Sequence, residues 1–365
     1  MPHLSQVDLK KKPANWYVFN SKGGSMRKET LLVILFLFCI SSNLFAQRTE
    51  NVFIVVIDGA RYTETFGDQT HKYIPKMWND MRPMGTIYTS FYIDGQTMTS
   101  PGHASILTGT WQDIGEDGSK RPDQPTLFEY FRKQHNTSLT DNFVILGKTK
   151  LSILSYSNHG EYGSRYGASV KISPDQYQYD DDKTFNNIKD VITTHHPRLV
   201  IANFSETDIK GHQVHVGAWN NYVSAIKKAD NLISELWTLI QSDSIYRDKT
   251  TLFVTNDHGR HTKNFRDHGD NCEGCRHIML LVVGPDTPKV VVDSETRKQV
   301  DIAPTVGQLL KFNTPYCTGS LLNTAIISKI FERSIGNVKH ARNFNLPQNY
   351  PKPFYAVTTE PKGGN

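Results

Sequence analysis

Cysteine is scarce in this chain: four among 365 residues, one of them, Cys39, inside a leading apolar segment. The other three are Cys272, Cys275 and Cys317. Only one Cys-x-x-Cys pair exists, so a structural site of four cysteines, which needs two such pairs, is excluded. The expected use of the three is one disulfide, within Cys272 and Cys275 or from one of them to Cys317, with one thiol left over. Long hydrophobic runs are also lacking. The run Leu31 to Ile40 is about half the roughly 20 residues that cross a bilayer, which argues against a spanning anchor. Charge of one sign is nearly absent. The formal net charge is +5, and residues 1–46 hold six Lys/Arg against two Asp/Glu, leaving 35 basic and 34 acidic residues after them. Such a body has no concentrated basic surface, and a nucleic-acid polymer is not expected as a partner. No internal repeat is present, which excludes a solenoid.

What the front end does have is an address. From Met26, Arg27 and Lys28 lead into the apolar run and then into Ser41, Ser42, Asn43, Leu44, Phe45 and Ala46, the layout of a secretory signal peptide. Cleavage near Ala46 is expected to release a periplasmic or secreted chain without a membrane anchor. No small residues lead into Cys39 as a lipoprotein site requires. Residues 334–365 carry Pro347, Pro351, Pro353 and Pro361 and read as an extended tail. Between them, residues 47–333 form the expected catalytic domain, and 38% hydrophobic composition is enough for one large core.

That core is α/β in pattern. Asn51 to Ile57, Arg198 to Phe204 and Thr251 to Thr255 are near-continuous apolar runs of strand length, as strands buried on both faces should be. From Asn220 to Ile240, Val223, Ile226, Ala229, Ile233, Leu236 and Ile240 recur at spacings of three and four, an amphipathic helix. Strand, helix, strand implies a right-handed crossover and a largely parallel central sheet between helical layers. Residues 148–185 lack a clear period and read as an insertion covering the site, with Asp180, Asp181 and Asp182 in a solvated loop.

Chemistry collects where the strands stop. Asp58 follows the first run; Asp208 and His212, four apart, follow the second; Asp257 and His258 follow the third. Singly these are turn formers, helix caps or surface polar residues. Together, at the carboxyl edge of one sheet, they are an oxygen and nitrogen ligand set suited to zinc, and numerous enough for two ions. Thr97 to Ser105, with Thr99, Pro101, Gly102 and His103, offers a hydroxyl at the start of a helix, where backbone N–H groups favour an anion.

Asp58, Thr99-x-Pro101-x-His103, Leu107-Thr108-Gly109, Asp208-x-x-x-His212, Asp257-His258-Gly259 and His268-Gly269 occur in an order that resembles the alkaline phosphatase superfamily. The pattern is similar to its phosphodiesterase and nucleotide pyrophosphatase branch and to threonine-using phosphatases. The resemblance implies a hydrolase of small phosphate esters with two Zn²⁺ per chain. One ion would be held by Asp58, Asp257 and His258 and would bind Thr99, the nucleophile; the other would be held by Asp208, His212 and His268, with His261 and His277 as alternatives for the last ligand. Sulfatases belong to the same superfamily but use a formylglycine made from Cys or Ser, followed by Pro and Arg. Here those positions are Thr99, Pro101 and His103, and threonine cannot yield the aldehyde. The stretch from Thr110 to Lys120 lacks the Asn that phosphodiesterases of this group use. Lys148 and Lys150 resemble the cationic pair that threonine-type monoesterases place on the extra charge of a monoester. A phosphomonoesterase is therefore expected, with a phosphodiesterase as the alternative.

Overall fold

The computed structural model describes residues 47–172, 179–214 and 219–327. The expectations for residues 1–46 and for the 334–365 tail therefore lie outside the described residues. In chain order the regular elements are β1 (Asn51–Ile57), β2 (Gly85–Tyr92), α1 (Thr99–Thr108), α2 (Leu127–His135), β3 (Asn142–Leu146), β4 (Ser169–Ile172), α3 (Asp181–His195) and β5 (Leu199–Phe204). They continue with α4 (Glu206–His212), α5 (Trp219–Ser242), β6 (Thr250–Thr255), α6 (Glu273–Arg276), β7 (His277–Val283), β8 (Val291–Asp293), β9 (Arg297–Lys298) and α7 (Ile302–Leu310).

Strand β1 shows why the sheet lies between two helical layers. All seven of its residues are buried. Val52, Ile54 and Val56 face a core shared with α1, α2 and α7; Phe53, Val55 and Ile57 face a second core shared with α3 and α5. Alternate side chains of a strand point to opposite faces, so a strand apolar at every position needs a layer on each side. Truncating Ile54 or Phe53 to Ala should cost about 2 to 5 kcal/mol, because neither face has solvent to relax into. The sheet order is β4-β3-β5-β1-β6-β7-β2-β8, with β9 pairing with β2. From β4 to β6 every pairing is parallel, whereas β7 runs antiparallel to both β6 and β2. The largely parallel sheet between helices is thus observed. Among the described residues no helix is long and apolar enough to cross a membrane.

Residues 148–185 hold more regular structure than their composition announces. They supply the edge strand β4, which pairs in parallel with β3, and the start of α3. The aspartate run is not a solvated loop. Asp180 caps α3 by accepting the Asp182 N–H, and Asp181 is fully buried, accepting the backbone N–H groups of Ser205 and Glu206 at the entrance to α4. Burial, partly offset by the Glu206 and Ser205 N–H groups, pushes the Asp181 carboxyl up to about 8. The expected disulfide is absent as well: Cys272, Cys275 and Cys317 are free thiols. Cys317 packs beside Gly109 and donates to Thr108 O at 3.1 Å, while Cys272 and Cys275 both turn toward His261.

Candidate active site

Four neighbouring parallel strands, β3, β5, β1 and β6, end on one edge of the sheet, and the residues just beyond them converge there. Asp58 follows β1, Lys148 follows β3, Asp257 and His258 follow β6, and Asp208 rides on α4 just after β5. Gly59 makes the turn beyond Asp58 with φ of +67°, and a Cβ there would meet Asp208 and Arg260.

Asp58, Asp257 and His258 form one group able to hold a metal ion. Each carboxylate is half satisfied. Asp257 Oδ1 accepts the N–H groups of Gly59 and His258, both at 3.0 Å, and Asp58 Oδ2 accepts Asn203 Nδ2 at 3.0 Å and Lys148 Nζ at 2.9 Å. The other oxygens, Asp58 Oδ1 and Asp257 Oδ2, are buried; neither accepts a well-aligned hydrogen bond, although His103 Nδ1 lies 3.2 Å from Asp257 Oδ2 while facing Thr99 O. They lie 3.6 and 3.5 Å from His258 Nε2. A tetrahedral ion with bonds of about 2.1 Å spaces its ligands by about 3.4 Å, so these three atoms fit a zinc-sized cation. His258 Nδ1 donates to Gly259 O at 2.8 Å, which turns the lone pair of Nε2 toward the two bare oxygens. Burial holds His258 down at about 4, in the neutral form a metal requires, while burial and the neighbouring Asp257 raise Asp58.

Asp208, His212 and His268 form a second group. His212 Nε2 and His268 Nε2 lie 3.4 and 3.8 Å from Asp208 Oδ1. His268 Nδ1 faces Thr97 O at 3.2 Å, and burial followed by the neighbouring His258 lowers its pKa to about 3. This carboxylate already has cations of its own. Lys148 Nζ lies 2.7 Å from Oδ2, and the fully buried Arg260 lies 2.6 Å from Oδ1. Despite burial, Lys148 holds Asp208 well below the usual carboxylate range, and Asp208 and Asp58 together raise Lys148. The other two histidines stand apart from this group. His277 is stacked between Tyr62 and Tyr92 with Nε2 on Thr89 O, and His261 faces Asp270 and the cysteines.

Thr99 begins α1 and is buried, with Oγ1 3.3 Å from Lys148 Nζ and 3.4 Å from His258 Nε2. His103, one turn on, ties the helix down: its Nδ1 faces Thr99 O at 2.9 Å, and Asn203 Nδ2 lies 3.1 Å from its Nε2. Burial opposes a charge on His103, but Asp257 raises its pKa. The helix start offers fewer free N–H groups than its sequence suggests. Pro101 has none, and the Ser100 N–H donates to Glu116 Oε1 at 2.7 Å. Glu116 also pairs with Lys150. The two lysines therefore part company, Lys148 between the two metal-ligand groups and Lys150 on a carboxylate outside them.

Residues 50–312, well over half of the chain, match the family described as Sulfatase. The chain belongs to the Sulfatase family. Solved structures share the fold of this Sulfatase-family chain. A protein in the alkaline phosphatase superfamily from Vibrio parahaemolyticus is 13% identical with a TM-score of 0.57, covering 78% of this chain and 72% of its own. The phosphonate monoester hydrolase of Agrobacterium radiobacter is 12% identical with a TM-score of 0.54, over 76% and 77%. A protein in complex with its substrate D-glucosamine-2-N,6-O-disulfate is 13% identical with a TM-score of 0.54, over 76% and 80%. No curated protein sequence matches the chain. Membership places this Sulfatase-family chain among the metal-dependent ester hydrolases of the alkaline phosphatase superfamily.

Three residues of the site are not singled out by sequence spacing. Asn203 carries a signal, a polar residue inside an otherwise apolar buried strand. Arg260 has a fainter one, since Gly59 and Gly211 both leave room for its guanidinium. Glu116 has none, because its reach to Ser100 depends on the path of a loop.

Proposed function

We propose that the chain hydrolyses phosphoric esters, phosphomonoesters before diesters, with Thr99 as the nucleophile and zinc held by Asp58, Asp257 and His258 and, more weakly, by Asp208, His212 and His268. The observation that carries this reading is the position of Thr99 Oγ1, at the mouth of α1 between Lys148 Nζ and His258 Nε2. Zinc bound at these ligands supplies Lewis-acid chemistry, lowering the pKa of a hydroxyl beside it and offsetting phosphoryl charge. Thr99 Oγ1 gives up its proton to solvent and forms a bond to phosphorus as the ester oxygen leaves and is protonated. Lys148 donates a hydrogen bond to Oγ1 and stabilises the charge on it, while Asp58 and Asp208 keep the ammonium in place. Water then displaces Thr99 from the phosphothreonine, and two in-line steps retain configuration at phosphorus.

The preference for monoesters rests on Lys148, which, although paired with Asp58 and Asp208, lies 3.3 Å from Thr99 Oγ1, whereas Lys150 pairs with Glu116. Sulfate ester hydrolysis is the second reading, favoured by the family match and by the likeness to a protein bound to a disulfated sugar. Thr99 stands against it, since a threonine side chain cannot be converted to an aldehyde. Purified protein assayed side by side on aryl phosphate, bis-aryl phosphate, an aryl phosphonate ester and aryl sulfate separates these readings. Aryl phosphate should turn over fastest; faster hydrolysis of aryl sulfate would overturn the assignment. Export is part of the proposal and rests on the pattern from Met26 to Ala46. Mass spectrometry of exported protein should find its first residue at or near Gln47.

A further inference from the structure

Outside the catalytic groups lies a second kind of cluster. His261, Asp270, Cys272 and Cys275 each turn one ligand atom toward the others, and all four atoms lie within 4.8 Å of one another. Three of them crowd a single ring nitrogen. Asp270 Oδ1 is 2.6 Å from His261 Nδ1, Cys275 Sγ is 3.3 Å away and Cys272 Sγ 4.0 Å. One imidazole nitrogen carries at most one hydrogen or one lone pair and can serve only one of these neighbours, whereas a cation among them serves all.

We propose that these four residues form a structural Zn²⁺ site of two thiolates, one imidazole and one carboxylate. Tetrahedral Zn²⁺ separates sulfur, nitrogen and oxygen ligands by roughly 3.3 to 3.8 Å, so shifts of about 1 Å complete the geometry. Thiolates favour zinc over the hard cations magnesium and calcium. Both thiols release their protons to solvent on binding. The surroundings suit a thiolate: the Thr262 N–H lies 3.4 Å and its Oγ1 3.6 Å from Cys272 Sγ, and both donate to it. Asp270 is oriented by the Cys272 N–H, which donates to its Oδ1 at 3.0 Å.

The backbone shows what such a clip would hold. The Gly259 N–H donates to Cys275 O at 2.8 Å and the Arg260 N–H to Gly274 O at 2.9 Å, so the Cys-x-x-Cys turn lies against the residues after His258. A Cβ on Gly259 would run into Gly274 O, and one on Gly274 into Arg260 O. The same loop carries His268, two residues before Asp270. Metal at this site would close the loop at its base and hold His268 and Arg260 toward Asp208. The inference does not rest on the Thr99 reading, because the catalytic groups contain no sulfur.

Cobalt distinguishes the sites. The full-length chain loaded with Co²⁺ should show a near-ultraviolet thiolate-to-cobalt charge-transfer band, which the oxygen and nitrogen ligands of the catalytic groups cannot produce. The double substitution Cys272→Ser, Cys275→Ser should abolish the band and lower bound metal by about one ion per chain. In the unsubstituted protein, Cys272 and Cys275 should resist a thiol reagent until a chelator is added, a readout that does not depend on the variant folding. Absence of the band, thiols equally reactive with and without chelator, or a peptide map joining Cys272 to Cys275 as a disulfide would each overturn the site.

Discussion

The two groups of Asp and His able to hold a metal ion share a ligand chemistry but differ in what the chain already gives them. In the group of Asp58, Asp257 and His258, two buried carboxylate oxygens have no hydrogen bond, and both side-chain carboxylates and the imidazole are fully buried. Lys148 pairs with Asp58 as well as with Asp208, and His103 Nδ1 lies 3.2 Å from Asp257 Oδ2, so this group is partly compensated. Its two oxygens still accept no hydrogen bond, and an unsatisfied buried acceptor costs about 1 to 3 kcal/mol. In the group of Asp208, His212 and His268, Arg260 and Lys148 already neutralise the carboxylate, and the His212 side chain is 41% exposed. A metal there competes with two cations and with water. Burial alone therefore does not rank metal sites; what ranks them is the share of ligand charge that the protein has left unpaired. The opposite shifts of Asp58 and Asp208 express the same difference.

The largest effect should come from removing the reaction's centre without touching either group. Thr99→Ala is expected to lose several orders of magnitude in turnover while metal content is unchanged. Near-normal rates in this variant would sink the phosphothreonine mechanism. Next in size, Asp257→Asn should lose at least about a thousandfold in kcat and shed the more tightly held zinc, whereas His212→Ala should lose only roughly 10- to 100-fold and shed the weaker one. Graded dialysis against a chelator should likewise remove two zincs in distinct steps. A single step, or equal losses in the two variants, would erase the proposed ranking.

Lys148 bridges the groups and sharpens the comparison. Lys148→Met should raise zinc affinity at both Asp58 and Asp208, since the cation they share is gone, while lowering monoester kcat/KM by roughly 10- to 1000-fold and diester kcat/KM less. Titration of apoprotein with zinc and paired kinetics test both halves. An equal loss on both ester classes would assign Lys148 to holding the site rather than to reading substrate charge.

The smallest effect concerns Asp181, which anchors only α4 and hence only the second group. Its folded pKa is raised from 3.8 to about 8, so the protonated acid is the form the fold prefers. Its stabilising contribution is full below the unfolded value and is lost as pH rises through about 8. Asp181→Asn should therefore gain on the unsubstituted protein as pH climbs from about 4 to about 8. Urea unfolding across that range measures the difference. A gap that does not change with pH would mean that Asp181 titrates normally.

Much of the frame was legible in the chain itself. Strands β1, β5 and β6 and helix α5 announce themselves because burial on both faces of a parallel strand leaves a continuous apolar run, and burial on one face of a helix a periodic one. The edge strand β4 leaves none: Ser169, Lys171 and Ile172 are only partly buried and Val170 is exposed, so composition gives little hint of their pairing with β3. Asp181 misleads for a related reason, since an aspartate run at a helix entrance looks solvated until α4 is placed against it. The cysteines mislead because spacing permits a disulfide, whereas orientation turns two of them to His261 and the third to Thr108.

By itself the sequence determined the fold class, the superfamily, and which side chains stand at the ends of buried strands, because these depend on local pattern and on short distances along the chain. Only the tertiary structure decided how those side chains share charge: that Lys148 bridges Asp58 and Asp208, that Arg260 spends its charge on Asp208, that Glu116 takes Lys150 and the Ser100 N–H, and that two oxygens are left bare. Electrostatic partnership falls off over a few ångströms in space, and these pairs are tens of residues apart in the chain, so no pattern of spacing records it.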